Sequence, residues 1–182
     1  MSRFVDPGAV FAGWIGLGMA VVLAIAFELV IPVQLLVFML APFMGVLIGV
    51  YANVKSERWR PRTRVLANSA WAGLVTGLGI ALLYVVLRLV FVYGDTGALP
   101  TGLSLDCRTG PECTYTRYVE AGRAADLERA GISDAATFEA ALLRELAFGG
   151  GALMVLTLGG SLAGGAGRAL SSKGSQELPA TA

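Results

Sequence analysis

The sequence predicts an all-α integral membrane protein: four transmembrane helices with a small helical extracytoplasmic cap between the third and fourth. Three observations predict it. The chain of 182 residues is 55% hydrophobic and only 15% charged, with mean hydropathy +0.69, where a soluble domain carries about 25% charged residues. Its apolar residues gather into four long stretches. One short connector between them is basic, and one long connector is acidic.

The stretches cover residues 8–31, 32–53, 65–93 and 146–170. Each is long enough to cross about 30 Å of hydrocarbon at 1.5 Å per helical residue. In lipid the backbone must satisfy its own hydrogen bonds, and no stretch alternates as a barrel strand does, so helices are expected. Residues 1–93 then hold three spans with a basic loop at 54–64, residues 94–145 the cap, and residues 146–170 the fourth span. Residues 171–182 read as a disordered tail.

Pro32 stands where the first two spans meet and suits the first turn of a helix, which predicts a tight hairpin. Pro42 lies inside the second span and is expected to kink it, freeing a carbonyl near Phe38. Ala24-Ile25-Ala26 resembles a signal-peptidase site. The span is nevertheless expected to be retained, because cleavage would leave the next span starting almost at the new terminus.

The connector after the second span carries Lys55, Arg58, Arg60, Arg62 and Arg64 against Glu57 alone. Residues 94–145 carry nine acids against five arginines. Lysine and arginine dense in a short loop hold that loop in the cytoplasm. Arg3, Arg168 and Lys173 agree, so both termini are expected to be cytoplasmic and the protein to sit in the plasma (cytoplasmic) membrane. The basic loop also suits contact with anionic lipid or an acidic partner, with Trp59 as interfacial anchor.

Cys107 and Cys113 fall in the segment assigned to the outside, and Gly110 and Pro111 between them favour a turn. A disulfide is expected in that oxidising space. So short a loop gains only about 2 kcal/mol on the entropic model. The spacing is not that of a thioredoxin-like motif.

Within the cap, residues 94–117 read as loop, and residues 118–130 as a helix with Asp126 and Arg129 spaced to pair. Gly131 is a C-terminal stop. Asp134 caps a second helix, with Phe138, Leu142 and Leu146 at helical spacing, that runs on into the fourth span. The string LERAGISDAATFEAALL resembles a helix-hairpin-helix unit, two short helices joined by a glycine turn. An acidic external segment is the wrong place for such a unit to bind nucleic acid, so it is read as the cap.

Small residues recur at helix-contact spacing: Gly45 and Gly49, Gly73 and Gly77, Gly160 and Gly164, and Ala12, Gly16, Ala20 and Ala24. Small faces let membrane helices approach closely. Glu28 and Arg88 are ionisable residues inside the first and third spans, at similar depth in one leaflet. An interhelical ion pair would remove the insertion penalty of about 3 kcal/mol per buried charge. The alternatives are that both snorkel to the headgroups, or that Glu28 handles protons or ions.

Histidine is absent, which removes the commonest metal ligand and neutral-pH acid–base group. No nucleophile–base pair, metal set or phosphate loop is present, so neither enzyme activity nor a cofactor is expected. A net charge of +1 points to no nucleic-acid partner. The expected function is that of a structural or accessory subunit or assembly factor, in contact with the lipid bilayer and with a protein partner or further copies of itself. The alternative is a small oligomeric channel or transporter using Glu28 and Arg88.

Overall fold

The computed structural model describes residues 4–26, 34–56, 61–94 and 109–174. Among them every regular element is helical: α1 Pro7–Ala24, α2 Gln34–Val54, α3 Arg62–Leu89, a π-helical turn Val90–Gly94, α4 Pro111–Tyr118, a second π-helical turn Val119–Arg123, α5 Ala124–Arg129 and α6 Ala135–Gly174. Four helices are long and apolar enough to cross a membrane: Pro7–Ala24, Leu35–Val54, Arg62–Gly94 and Ala135–Leu170. The hairpin expected at Pro32 lies outside the described residues. α2 runs unbroken through Pro42.

Contacts divide the chain into two compact units, Met1–Leu83 with Gly150–Ala182, and Tyr84–Gly149. In the first, α1 turns its small residues inward, and many large apolar side chains of the unit face outward. α1 buries Ala9, Ala12, Gly13, Gly16, Ala20 and Ala24 while Trp14, Val22, Phe43, Leu47 and Val155 are exposed. Water would favour the reverse, and lipid does not, because tails solvate large apolar side chains and contact between backbones does the packing. Ala9, Ala12, Ile48, Ala52 and Ala72 form a core joining α1, α2 and α3, with Val5, Met19 and Tyr51 against it.

The glycines set the remaining contacts. A Cβ at Gly45 would overlap the Thr157 carbonyl oxygen and stand 2.9 Å from Ser161 N, and one at Gly49 would lie 2.8 Å from the Ser161 carbonyl carbon. From the other side, Gly160 meets the Pro42 carbonyl and Gly164 that of Val46. The two glycine pairs therefore interlock α2 with α6, backbone against backbone. Gly73 and Gly77 bring α3 against the same helix, at Ser161 and Met154.

The second unit corrects two expectations. Residues 94–117 are not loop throughout, since α4 begins at Pro111. Gly110, with φ 102°, turns the chain into a helix that has proline in its first turn and Glu112 beside it, and both residues favour a helix start. Residues 118–130 are not one helix, because Gly122 at φ 76° breaks it. The Asp126–Arg129 pair forms at 2.7 Å, and Arg123 reaches the same carboxylate at 3.4 Å. Phe138 stacks obliquely with Tyr115 and Tyr118, at centroid distances of 6.3 and 5.9 Å, and Leu127 and Leu146 of the same unit are buried.

The turn into α6 follows the expected chemistry. Gly131 takes φ 74°, its N–H donates to Glu128 O at 2.9 Å, and Ile132 N–H donates to Leu127 O at 2.9 Å, which is the paired closure of a Schellman motif. Asp134 Oδ1 accepts from Thr137 N–H at 2.8 Å, while Asp134 N–H donates back to Thr137 Oγ1 at 3.0 Å, a capping box with threonine at its third position. The Thr137 backbone N–H, then its hydroxyl, hold the Asp134 carboxyl below its ordinary value of 3.8 against a small desolvation effect, with the Ala136 N–H adding to the lowering. A lowered folded pKa stabilises the cap above the ordinary value and loses that contribution as pH falls through the folded one. Protection of the Ala136 and Thr137 amides, measured relative to the intrinsic exchange rate at each pH, is therefore expected to fall on acidification below about pH 4, and Asp134→Asn to flatten that response. An unchanged acid response in the variant contradicts the assignment. α6 continues to Gly174, so residues 171–174 are helical where a disordered tail was expected.

Candidate functional site

Three local facts build a polar cluster inside the first unit. α1 starts at Pro7, which places Asp6 at its N-cap, 4% exposed. At the end of α2, Asn53 and Ser56 each bond the carbonyl four residues earlier, Gly49 O and Ala52 O. Asn68 and Ser69, both fully buried, lie near the start of α3, within its apolar run.

The bonds form two sets that meet at the adjacent residues Asn68 and Ser69. Asp6 N–H donates to Asn68 Oδ1, and Asn68 Nδ2 donates to Asp6 Oδ2, both at 3.0 Å. Asn68 Nδ2 also donates to Ser56 Oγ at 3.2 Å, whose hydroxyl donates to Ala52 O at 2.6 Å. Asn53 Nδ2 donates to Gly49 O at 2.9 Å and to Ser69 Oγ at 2.7 Å. The Ser69 hydroxyl has Val65 O at 3.1 Å and Gly49 O at 3.3 Å as acceptors. Ser161 Oγ donates to Ser69 O at 2.6 Å. Together the two sets tie the N-cap of α1 to α3 and the end of α2, and α3 in turn to α2 and α6. Buried polar groups cost free energy unless paired, and here they pair between helices. Asn53 Oδ1 is the exception, buried with no hydrogen-bond partner among the described residues.

Thr76 and Thr157 donate to Ala72 O and Leu153 O of their own helices, each at 2.8 Å. Ser161 instead bonds across to α3, at Ser69 O. Asp6, Asn53, Asn68 and Ser69 carried no expectation at all. The available signal was an Asn-Ser pair inside an apolar run, where a primary amide must find a partner.

Of the residues singled out from the sequence, Lys55, Arg62 and Arg64 are described, and Lys55 Nζ stands 5.9 Å from the Tyr51 ring centroid. Arg58, Arg60, Glu28 and Cys107 lie outside the described residues. Arg88, in the last turn of α3, has its guanidinium 6.0 Å from the Tyr84 ring centroid. Cys113 is 2% exposed in α4, and no cysteine among the described residues is free. Tyr93 donates a hydrogen bond to Glu139 Oε1 within the second unit. Among the described residues no group of three or more His, Cys, Asp or Glu side chains could hold a metal ion.

These features define a class: an α-helical chain with four candidate membrane spans whose buried polar side chains bond helix to helix. No family model, curated protein or solved structure matches the chain.

Proposed function

We propose that the chain is a non-enzymatic, multi-pass accessory subunit or assembly factor of the plasma membrane. The observation that carries this reading is the destination of the buried polar side chains. Asp6, Ser56, Asn68, Ser69 and Ser161 bond one another and helix carbonyls, and so brace the bundle instead of facing a solute. In this reading the basic connector and both termini are cytoplasmic, as lysine and arginine density directs. The segment around α4 and α5 is an external cap, clipped by a Cys107–Cys113 disulfide and available to a protein partner.

The test is purification of the tagged full chain in mild detergent, followed by mass spectrometry, alongside flux measurements in vesicles. A stoichiometric complex with a second protein is expected, and Glu28→Gln is expected to leave it intact. Recovery of a homo-oligomer alone, with ion or solute flux abolished by Glu28→Gln, overturns the reading in favour of a channel or transporter.

A further inference from the structure

One groove, of about 360 Å³, lies within the second unit, a volume in the range of small-ligand clefts. One wall is a single face of α6, made by Ala141, Arg144, Glu145 and Phe148 at i, i+3, i+4 and i+7. Residues so spaced share a helix face. The other wall is Ala130 and Ile132, held in place by the Schellman turn at Gly131.

Its chemistry is graded along α6. Residues 146–167 carry no charge, a run of about 33 Å as a helix, the thickness of a hydrocarbon core. Arg144 and Glu145 therefore stand at one edge of the apolar layer if α6 spans it. Phe148, one turn into the uncharged run, is 81% exposed. Both charged residues are exposed, and neither side chain makes an ion pair or hydrogen bond among the described residues. Being adjacent in sequence, they do not face each other as i,i+3 or i,i+4 neighbours would.

We propose that this groove seats the headgroup of a zwitterionic phospholipid carrying a primary ammonium. The Arg144 guanidinium offers a planar fork to the phosphate. The Glu145 carboxylate accepts from the ammonium, which a quaternary amine cannot satisfy by hydrogen bonding, and it repels a headgroup of net negative charge. Phe148 lies along the first methylenes of the acyl chains, and Ile132 closes the side. The inference rests on the membrane-spanning reading of α6 but on no particular protein partner.

The experiment uses the purified full chain in dodecyl maltoside micelles, supplemented in turn with phosphatidylethanolamine, phosphatidylcholine and phosphatidylglycerol, and counts retained lipid by native mass spectrometry. Phosphatidylethanolamine is expected to be retained most. Arg144→Gln is expected to lower its retention about tenfold, Arg144→Lys less, and Glu145→Gln to erase the preference over phosphatidylglycerol. Arg168→Gln, on the same helix beyond the uncharged run, is expected to change nothing. Thermal melts should coincide for all variants, because Arg144 and Glu145 hold no hydrogen bond or ion pair among the described residues. Equal retention of the three lipids, or retention unaltered by Arg144→Gln, overturns the proposal. So does loss of a co-purifying protein in Arg144→Gln with lipid retention unchanged, which would make the groove a protein-docking site. Because the lipid count uses the isolated chain, it stands or falls apart from the accessory-subunit reading.

Discussion

Gly160→Ala is expected to destabilise the bundle by about 3 kcal/mol, whereas Gly159→Ala, one residue away, should be neutral or stabilising by up to about 1 kcal/mol. The chemistry of the two changes is identical, and the surroundings are opposite. A methyl at position 160 would overlap the Pro42 carbonyl oxygen and lie 2.9 Å from its carbon, and these are main-chain atoms with no rotamer to yield. The whole of α2 must retreat, which also opens the neighbouring contacts at Gly45, Gly49 and Gly164. A methyl at position 159 meets nothing within 4 Å and removes only the conformational freedom that glycine retains in the unfolded chain. Titration with SDS in mixed micelles, read by helical circular dichroism, measures both. Equal destabilisation by the two substitutions would mean that α6 does not use this face against α2.

Asn68→Leu is expected to be the most damaging change in the polar cluster, at about 3 kcal/mol. It fills similar volume but removes both Asp6 bonds and the Ser56 bond. A carboxylate oxygen and a backbone N–H, in a residue 4% exposed, then lose the partner they held. Ser56→Ala, which removes one hydroxyl, should cost about 1 kcal/mol. The diagnostic is non-additivity. Asp6→Ala combined with Asn68→Leu should cost less than the two singles together, since each single change breaks the same bond from Asn68 Nδ2 to Asp6 Oδ2, which the double variant loses only once. Strict additivity in the same SDS titration would show that the two side chains do not act as a pair.

The elements differ in how far local pattern could reveal them. Four spans were visible because a run of about 20 apolar residues is a local property. So was the α5–α6 turn, because Gly131 and Asp134 each act on backbone within four residues of themselves. The continuity of α6 from Ala135 through the fourth span was also expected, since no breaker interrupts it. α4 was missed because Gly110-Pro111 is ambiguous: the pair that makes a turn also opens a helix. The break at Gly122 was missed because an isolated glycine in a helical run is often tolerated. The polar cluster was out of reach for another reason. Asp6 and Asn68 are 62 positions apart, and Ser161 reaches Ser69 across 92. Hydropathy averaged over a span treats such residues as small interruptions, while their value depends on a partner that only the assembled bundle supplies.

The crowding of glycine in α6 bears on how the chain is built. On its own this helix is weakly inclined to hold its shape, yet its residues from 150 onward supply the surface against which both α2 and α3 close. It is also synthesised after both of them. Until it arrives, the notches at Gly45, Gly49, Gly73 and Gly77 have no counterpart, and the early helices form an open half-bundle. Assembly therefore has a keystone step that waits for α6, and a nascent product cut short before that helix leaves the faces of α2 and α3 uncovered.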